Sequence, residues 1–241
     1  MDKKYILSLP NANEFNNYVN SALIKKEINK DEWYELNNLY FTKLYLSSDN
    51  PRGQSGHGGD EYHYIFSHLP IMEAIYKNGT FLDVGCANGY LMEMIHKWGL
   101  GIGFKLEMYG VEISEGLLKL AKERLPKWND RFIQGNVNYW KPVKKFDYIH
   151  VGGLGHVPEE DKPKYFLHLL ENYIADEGRM ILGPYWYEND NIINNMDLDN
   201  RYSSEKIVSE LGIKPSGFII KTHYNKPNIF RKALFFDKKN I

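Results

Sequence analysis

The chain has 241 residues, 43% hydrophobic and 25% charged, which excludes collagen-like, low-complexity and wholly disordered classes and suits one large domain or a domain with an extension. With 30 Lys and Arg against 31 Asp and Glu the net charge is −1, so no overall field draws a polyanion and a nucleic-acid partner would need a local basic patch. The single cysteine, Cys86, cannot pair within the chain, no apolar run reaches the ~18 residues of a membrane span, and residues 1–10 lack a signal-peptide core, so the expectation is a non-membrane protein in a reducing cytoplasm.

Residues 1–48 read as helical, with Trp33, Leu36, Leu39, Tyr40 and Leu44 near i, i+3, i+4 spacing behind Asp31 as the cap. Turn formers from Ser47 to Pro51, then Gly53, Gly56, Gly58 and Gly59, mark a loop. A short helix is expected over 69–78, because Pro70 suits a first turn and Gly79 a stop. From residue 80 short β runs alternate with amphipathic helices, the pattern of a parallel sheet with crossover helices. Strands are expected at 80–84, 109–113, 132–135, 146–151 and 179–182, and helices at 90–98, 115–125 and 161–173. A polar segment over 185–202, opening on Tyr185, Trp186 and Tyr187 as an insert, precedes a helix at 204–211. Residues 217–223 and 231–237 read as an antiparallel hairpin. The expected fold is α/β: a doubly wound, seven-stranded, mostly parallel sheet with a C-terminal antiparallel hairpin. A helical extension and glycine-rich lid occupy 1–70 and the main domain 71–241.

The most informative stretch is Phe81 to Tyr90, where a strand passes through Gly85-Cys86-Ala87-Asn88-Gly89 directly into a helix. Glycine serves there because the backbone turns tightly and a ligand approaches it within contact distance. Dinucleotide sites use G-x-G-x-x-G and seat a pyrophosphate, but here Asp83 stands just upstream, and a carboxylate opposes a pyrophosphate while favouring a cationic group such as an amino acid's ammonium. No Gly-Lys-Ser/Thr follows, which excludes a phosphate P-loop. A second strand ends in Glu112, 23 residues beyond Gly89 and near the ~20 at which such folds place the acid that grips ribose hydroxyls.

With these residues, the region 80–185 resembles the class I S-adenosylmethionine-dependent methyltransferases, uncharacterised bacterial members included, whose first motif is similar to D-x-G-C-G-x-G. Ala87 departs from it where many members have glycine. The resemblance implies S-adenosyl-L-methionine as cofactor and S-adenosyl-L-homocysteine as product. It further implies a cofactor site built from Asp83, Gly85, Cys86, Ala87, Asn88, Gly89, Glu112, Ile113, Asn136, Val137 and Val151, with Asn136 near the adenine amine. The loop after the fourth strand would then face both cofactor and acceptor, which makes His156 the first candidate for a general base and His150 the second.

The segment Gly53 to His63 mixes glycines with His57, Asp60 and His63 and suggests a lid, with His57, Tyr62, His63, Tyr185 and Trp186 toward the substrate. A metal cluster of His57, Asp60 or Glu61, and His63 has no diagnostic spacing, so no metal is assigned. No Asn/Asp-Pro-Pro-aromatic run follows the fourth strand, against exocyclic-amine methylation of nucleic acid, and the only thiol lies in the cofactor turn, against cytosine C5 chemistry. The expectation is therefore in-line methyl transfer to oxygen or nitrogen of a small molecule. The alternatives are an RNA methyltransferase and a non-catalytic cofactor-binding module.

Overall fold

The computed structural model describes residues 2–188 and 203–241. Three helices come first, α1 (Lys3–Ile6), α2 (Ala12–Ile24) and α3 (Lys30–Leu46). The N-cap of α3 is Asn29 rather than Asp31: Asn29 and Glu32 form a reciprocal capping box, and Asp31 falls in the first turn, where its charge suits the helix dipole. Trp33, Leu36 and Tyr40 are buried with Ile6, Phe15 and Val19 in a core of their own, and Phe15 stacks on Tyr40 at 3.9 Å. Leu39 and Leu44, read as part of that stripe, are exposed instead.

The helix expected over 69–78 lies earlier, as α4 (Glu61–Glu73). Asp60 starts it by accepting from the His63 amide at 2.8 Å, and Pro70 sits inside the helix near its end. Thus Tyr62 and His63 belong to a helical first turn, and the helix continues across residue 70.

The sheet has the order β3-β2-β1-β4-β5-β7-β6. Its strands are β1 (Gly79–Val84), β2 (Leu106–Glu112), β3 (Phe132–Gln134), β4 (Phe146–Val151), β5 (Ile174–Glu188), β6 (Gly217–His223) and β7 (Lys226–Asp237). The first five are parallel and β7 runs antiparallel between β5 and β6, as the sequence led one to expect. Helices α5 (Tyr90–Gly101), α6 (Glu115–Arg124), α7 (Lys162–Asn172) and α8 (Ser203–Glu210) complete the layers. Both faces of the central strands are covered, by a core around Phe81, Met92 and Ile95 on one side and by one around Leu82, Ile149 and Phe166 on the other.

One strand is much longer than expected: β5 continues past Leu182 through a register shift, so Tyr185, Trp186 and Tyr187 pair with Lys232, Arg231 and Phe230 of β7 instead of forming an insert. The register shift falls between Leu182 and Tyr185, at Gly183-Pro184, and the strand continues beyond it into the segment read as polar. The rest of the polar segment, 189–202, lies outside the described residues.

Because the N-terminal core is separate from the two sheet cores, Trp33→Ala should cost about 3 to 5 kcal/mol of local packing. Hydrogen exchange is expected to accelerate in residues 2–46 before the strands lose protection, and uniform acceleration across the sheet would contradict that separation.

Candidate functional site

Parallel strands all point their carboxyl ends to one edge, and the turn after β1 lies there. The amides of Gly85 and Cys86 donate to Val111 O at 2.9 and 3.1 Å, which binds the turn to β2. Gly110 makes this approach feasible, since a Cβ there would come within 2.6 Å of Cys86 Sγ and 2.7 Å of Met92 Sδ. Gly85 has φ +76° and a Cβ on it would meet no atom within 4 Å, so its backbone faces open space that a ligand can fill. Ala87 also takes a left-handed conformation, φ +46°, and its amide donates to Glu112 Oε2 at 2.9 Å.

Glu112 ends β2 almost fully buried, and its other oxygen accepts from the Ser114 amide at 2.9 Å. Burial pushes its carboxyl above the ordinary range, opposed by these amides. Burial does the same to the Cys86 thiol, reinforced by Glu112 and Asp83, so that sulfur is a packing group and no nucleophile.

Together these groups floor a cleft of about 410 Å³. Of the sequence-predicted cofactor residues, Gly85, Ala87, Glu112, Ile113, Asn136 and Val137 line it, as does His156. Cys86, Asn88, Gly89 and Val151 stand behind this lining. Asn88 is fully buried; its Nδ2 donates to Pro51 O at 2.8 Å and its Oδ1 accepts from the Tyr90 amide, which ties the 51–60 segment to the glycine turn.

Asp83 is also behind the lining, paired across β1 and β4 with His150. His150 Nδ1 lies 2.8 Å from Asp83 Oδ1 and its Nε2 lies 2.9 Å from Gly183 O. Gly183 O can only accept, so Nε2 donates to it, and Nδ1 shares a proton with the Asp83 carboxyl. Neither ring nitrogen is left to take a proton from a substrate.

His156 is open to the cleft, with Nε2 3.1 Å from the Tyr165 hydroxyl. Although its surface is accessible, the ring sits deep enough that desolvation, with help from Lys162, brings its pKa down to about 4. The expected lid residues gather beyond this cleft. The His57 ring lies 5.3 Å from His63 and 4.9 Å from His68, and His63 lies 5.7 Å from Trp186. Tyr62 is exposed and Tyr185 hydrogen-bonds Ser204. Among the described residues no three His, Cys, Asp or Glu side chains converge closely enough to hold a metal ion.

The residues that sequence reasoning missed form the roof. Tyr34, Asn37, Asn38, Phe41, Thr42 and Tyr45 of α3, with Asn16 of α2, line the cleft opposite the glycine turn. Their spacing was visible, but Trp33, Leu36, Leu39, Tyr40 and Leu44 read as the stripe of this helix, with none of its residues assigned to the site. Thr42 Oγ1 reaches Ser114 Oγ at 2.7 Å and Tyr34 Oη accepts from Asn138 Nδ2 at 2.6 Å, so the roof is fastened to the sheet edge at two points.

Residues 81–172 match the family model of a methyltransferase domain. Among solved structures, a SAM-dependent methyltransferase from Leishmania major is similar at 13% identity, over 84% of this chain and 82% of that one, with a TM-score of 0.58. A candidate S-adenosyl-L-methionine-dependent methyltransferase from Methanococcus maripaludis is similar at 16% identity, over 85% and 94%, with a TM-score of 0.52. At such identities the likeness shows the fold. No curated protein sequence matches the chain significantly.

Two outcomes follow from the buried histidines. Desolvation lowers His57 and His156 to about 4 and His68 to about 3. Between pH 6.5 and about 4 the unfolded chain therefore binds protons that the folded chain does not, and stability falls as pH falls through that window. Glu112, raised by burial, works in the opposite direction but is one group against three. The unfolding midpoint should drop steadily from pH 6.5 to 4, and a flat profile would contradict the desolvation of these rings. Separately, His150→Phe leaves the Asp83 carboxylate buried without its donor and should cost about 3 to 5 kcal/mol in denaturant unfolding. A loss below about 1 kcal/mol would show that the Asp83–His150 hydrogen bond is not formed.

Proposed function

We propose that the chain, whose residues 81–172 match the family model of a methyltransferase domain, is a class I S-adenosylmethionine-dependent methyltransferase that transfers the methyl group in line to an oxygen or nitrogen of a small-molecule acceptor. The observation that carries the cofactor's placement is the Glu112 carboxylate: both oxygens are held by backbone amides at the carboxyl edge of the sheet, in a cleft that the Gly85 backbone also lines. These residues fit the cofactor. Glu112 would accept from the ribose hydroxyls, Gly85 and Ala87 would pass along the sulfonium side, and Asp83, behind the lining, would reach the ammonium only through bridging water, with the oxygen not committed to His150. When bound, S-adenosylmethionine supplies a methyl group on a sulfonium whose departing sulfur leaves as a neutral thioether.

The protein's part is alignment, exclusion of water and removal of one proton. His156 is the group for that proton. A pKa near 4 keeps its ring neutral at physiological pH, and Tyr165, whose hydroxyl burial holds well above its ordinary range, stays a phenol. In the tautomer that donates Nε2–H to the Tyr165 oxygen, the Nδ1 lone pair is the basic site, and it would take the acceptor's proton as the new bond to carbon forms. Gly152, Gly153 and Gly155 leave room beside it for the acceptor. A net charge of −1 and the lack of Lys or Arg among the described residues that line the cleft favour a small molecule over RNA.

S-adenosylmethionine or S-adenosylhomocysteine at 100 times the dissociation constant should stabilise the protein by about 2.7 kcal/mol, and NAD should not. With labelled cofactor and cell extract, the label should enter the small-molecule fraction. His156→Gln should lower kcat by about 10² to 10⁴ while leaving product affinity unchanged. Label in RNA would move the assignment to a nucleic-acid enzyme, and binding with no label in any fraction would leave a binding module.

A further inference from the structure

Asn136 follows β3 and lines the cleft where the base of the cofactor would lie, but its side-chain oxygen is fully committed. Asn136 Oδ1 accepts from the Asn138 amide at 3.0 Å and from Asn138 Nδ2 at 3.0 Å, which uses both lone pairs of a carbonyl oxygen. An exocyclic amine placed there finds no acceptor, and Asn136 has only its Nδ2 to offer a ligand.

The roof supplies what Asn136 lacks. Asn37 of α3 lines the same cleft, is only 7% exposed, and its Oδ1 is buried without a hydrogen-bond partner. The orientation of its amide is fixed, because Nδ2 donates to Trp33 O at 2.8 Å, so the unpaired atom is the oxygen. A buried carbonyl without a partner is costly, and a ligand that brings an N–H recovers that cost. Asn37 lies one helical turn from Tyr34, whose hydroxyl holds Asn138, so roof and β3 loop meet at this end of the cleft.

We propose that Asn37 Oδ1 accepts the exocyclic amino group of the cofactor's adenine and thereby sets the base specificity of the site. The base is then read from two sides, by a donor on the sheet edge and by an acceptor on a helix that precedes the matched domain at 81–172. This inference rests on the cofactor reading above.

The test is calorimetric titration of the full chain with S-adenosyl-L-homocysteine and with S-inosyl-L-homocysteine, whose base carries a carbonyl oxygen in place of the amine. A site built around an acceptor should reject the second ligand, and wild-type protein is expected to bind the adenosyl compound at least about tenfold more tightly. Asn37→Leu should weaken adenosyl binding about tenfold and reduce the preference to near parity. Asn37→Asp keeps an oxygen acceptor and should retain the preference, which separates the hydrogen bond from the packing of the helix. Full preference in Asn37→Leu, or equal wild-type affinity for both ligands, would overturn the proposal; the second result decides the matter even where Asn37→Leu does not fold. Failure of wild-type protein to bind S-adenosyl-L-homocysteine at all would remove the cofactor reading and this inference with it, whereas binding without preference removes this inference alone.

Discussion

The carboxylate of Glu112 and the two amides it holds are the constraint on which the site depends. Through Ala87 N it fixes the turn that leaves β1, and through Ser114 N it fixes the exit from β2 into α6. A charged group in that position would be costly if left unpaired, and two backbone donors at 2.9 Å offset the cost while shaping the cleft. Gly110 is part of the same arrangement, because any side chain on it would push Cys86 and the turn away from β2.

The N-terminal helices turn this open edge into a walled site. Lys30 reaches Asp161 at 2.8 Å, Tyr34 holds Asn138, and Thr42 holds Ser114, so α3 crosses the edge anchored at points after β4, β3 and β2. Individually such contacts contribute little, since exposed pairs are worth about 0 to 1 kcal/mol. Their placement matters more than their strength, because they seat a polar and aromatic stripe of the helix over the glycine turn. Behind the turn, Arg124 of α6 donates to Asn88 O at 2.7 Å and to Glu93 at 2.6 Å, and Asn88 in turn holds Pro51. Turn, roof and the segment ahead of α4 are therefore one connected unit.

The sheet was legible because its signals are local. Each βα unit carries its own apolar run, glycine or capping turn and amphipathic stripe, and Ser114 with Leu117, Leu118 and Ala121 reads directly as the start and buried face of α6. Glu112 was legible for the same reason, as an acid at the end of an apolar strand. The errors came where local and tertiary signals disagree. The polar segment from Tyr185 suggested an insert, yet pairing with β7 carries β5 on to Glu188, and Asp60 is a stronger helix start than Pro70 because it satisfies a free amide. Asp83 was read as open to a ligand, whereas its partner His150 lies 67 residues away in sequence, a contact that no spacing rule reports. Asn37 could not have been singled out: nothing in the sequence shows that its oxygen is buried and unpaired.

A crystal structure of the full chain with S-adenosyl-L-homocysteine tests the central claim most directly. The account predicts density along the cleft, with ribose hydroxyls on Glu112, backbone of Gly85 and Ala87 against the thioether side, and the base between Asn136 and α3. Density seated elsewhere, or an empty cleft at saturating ligand, would contradict it.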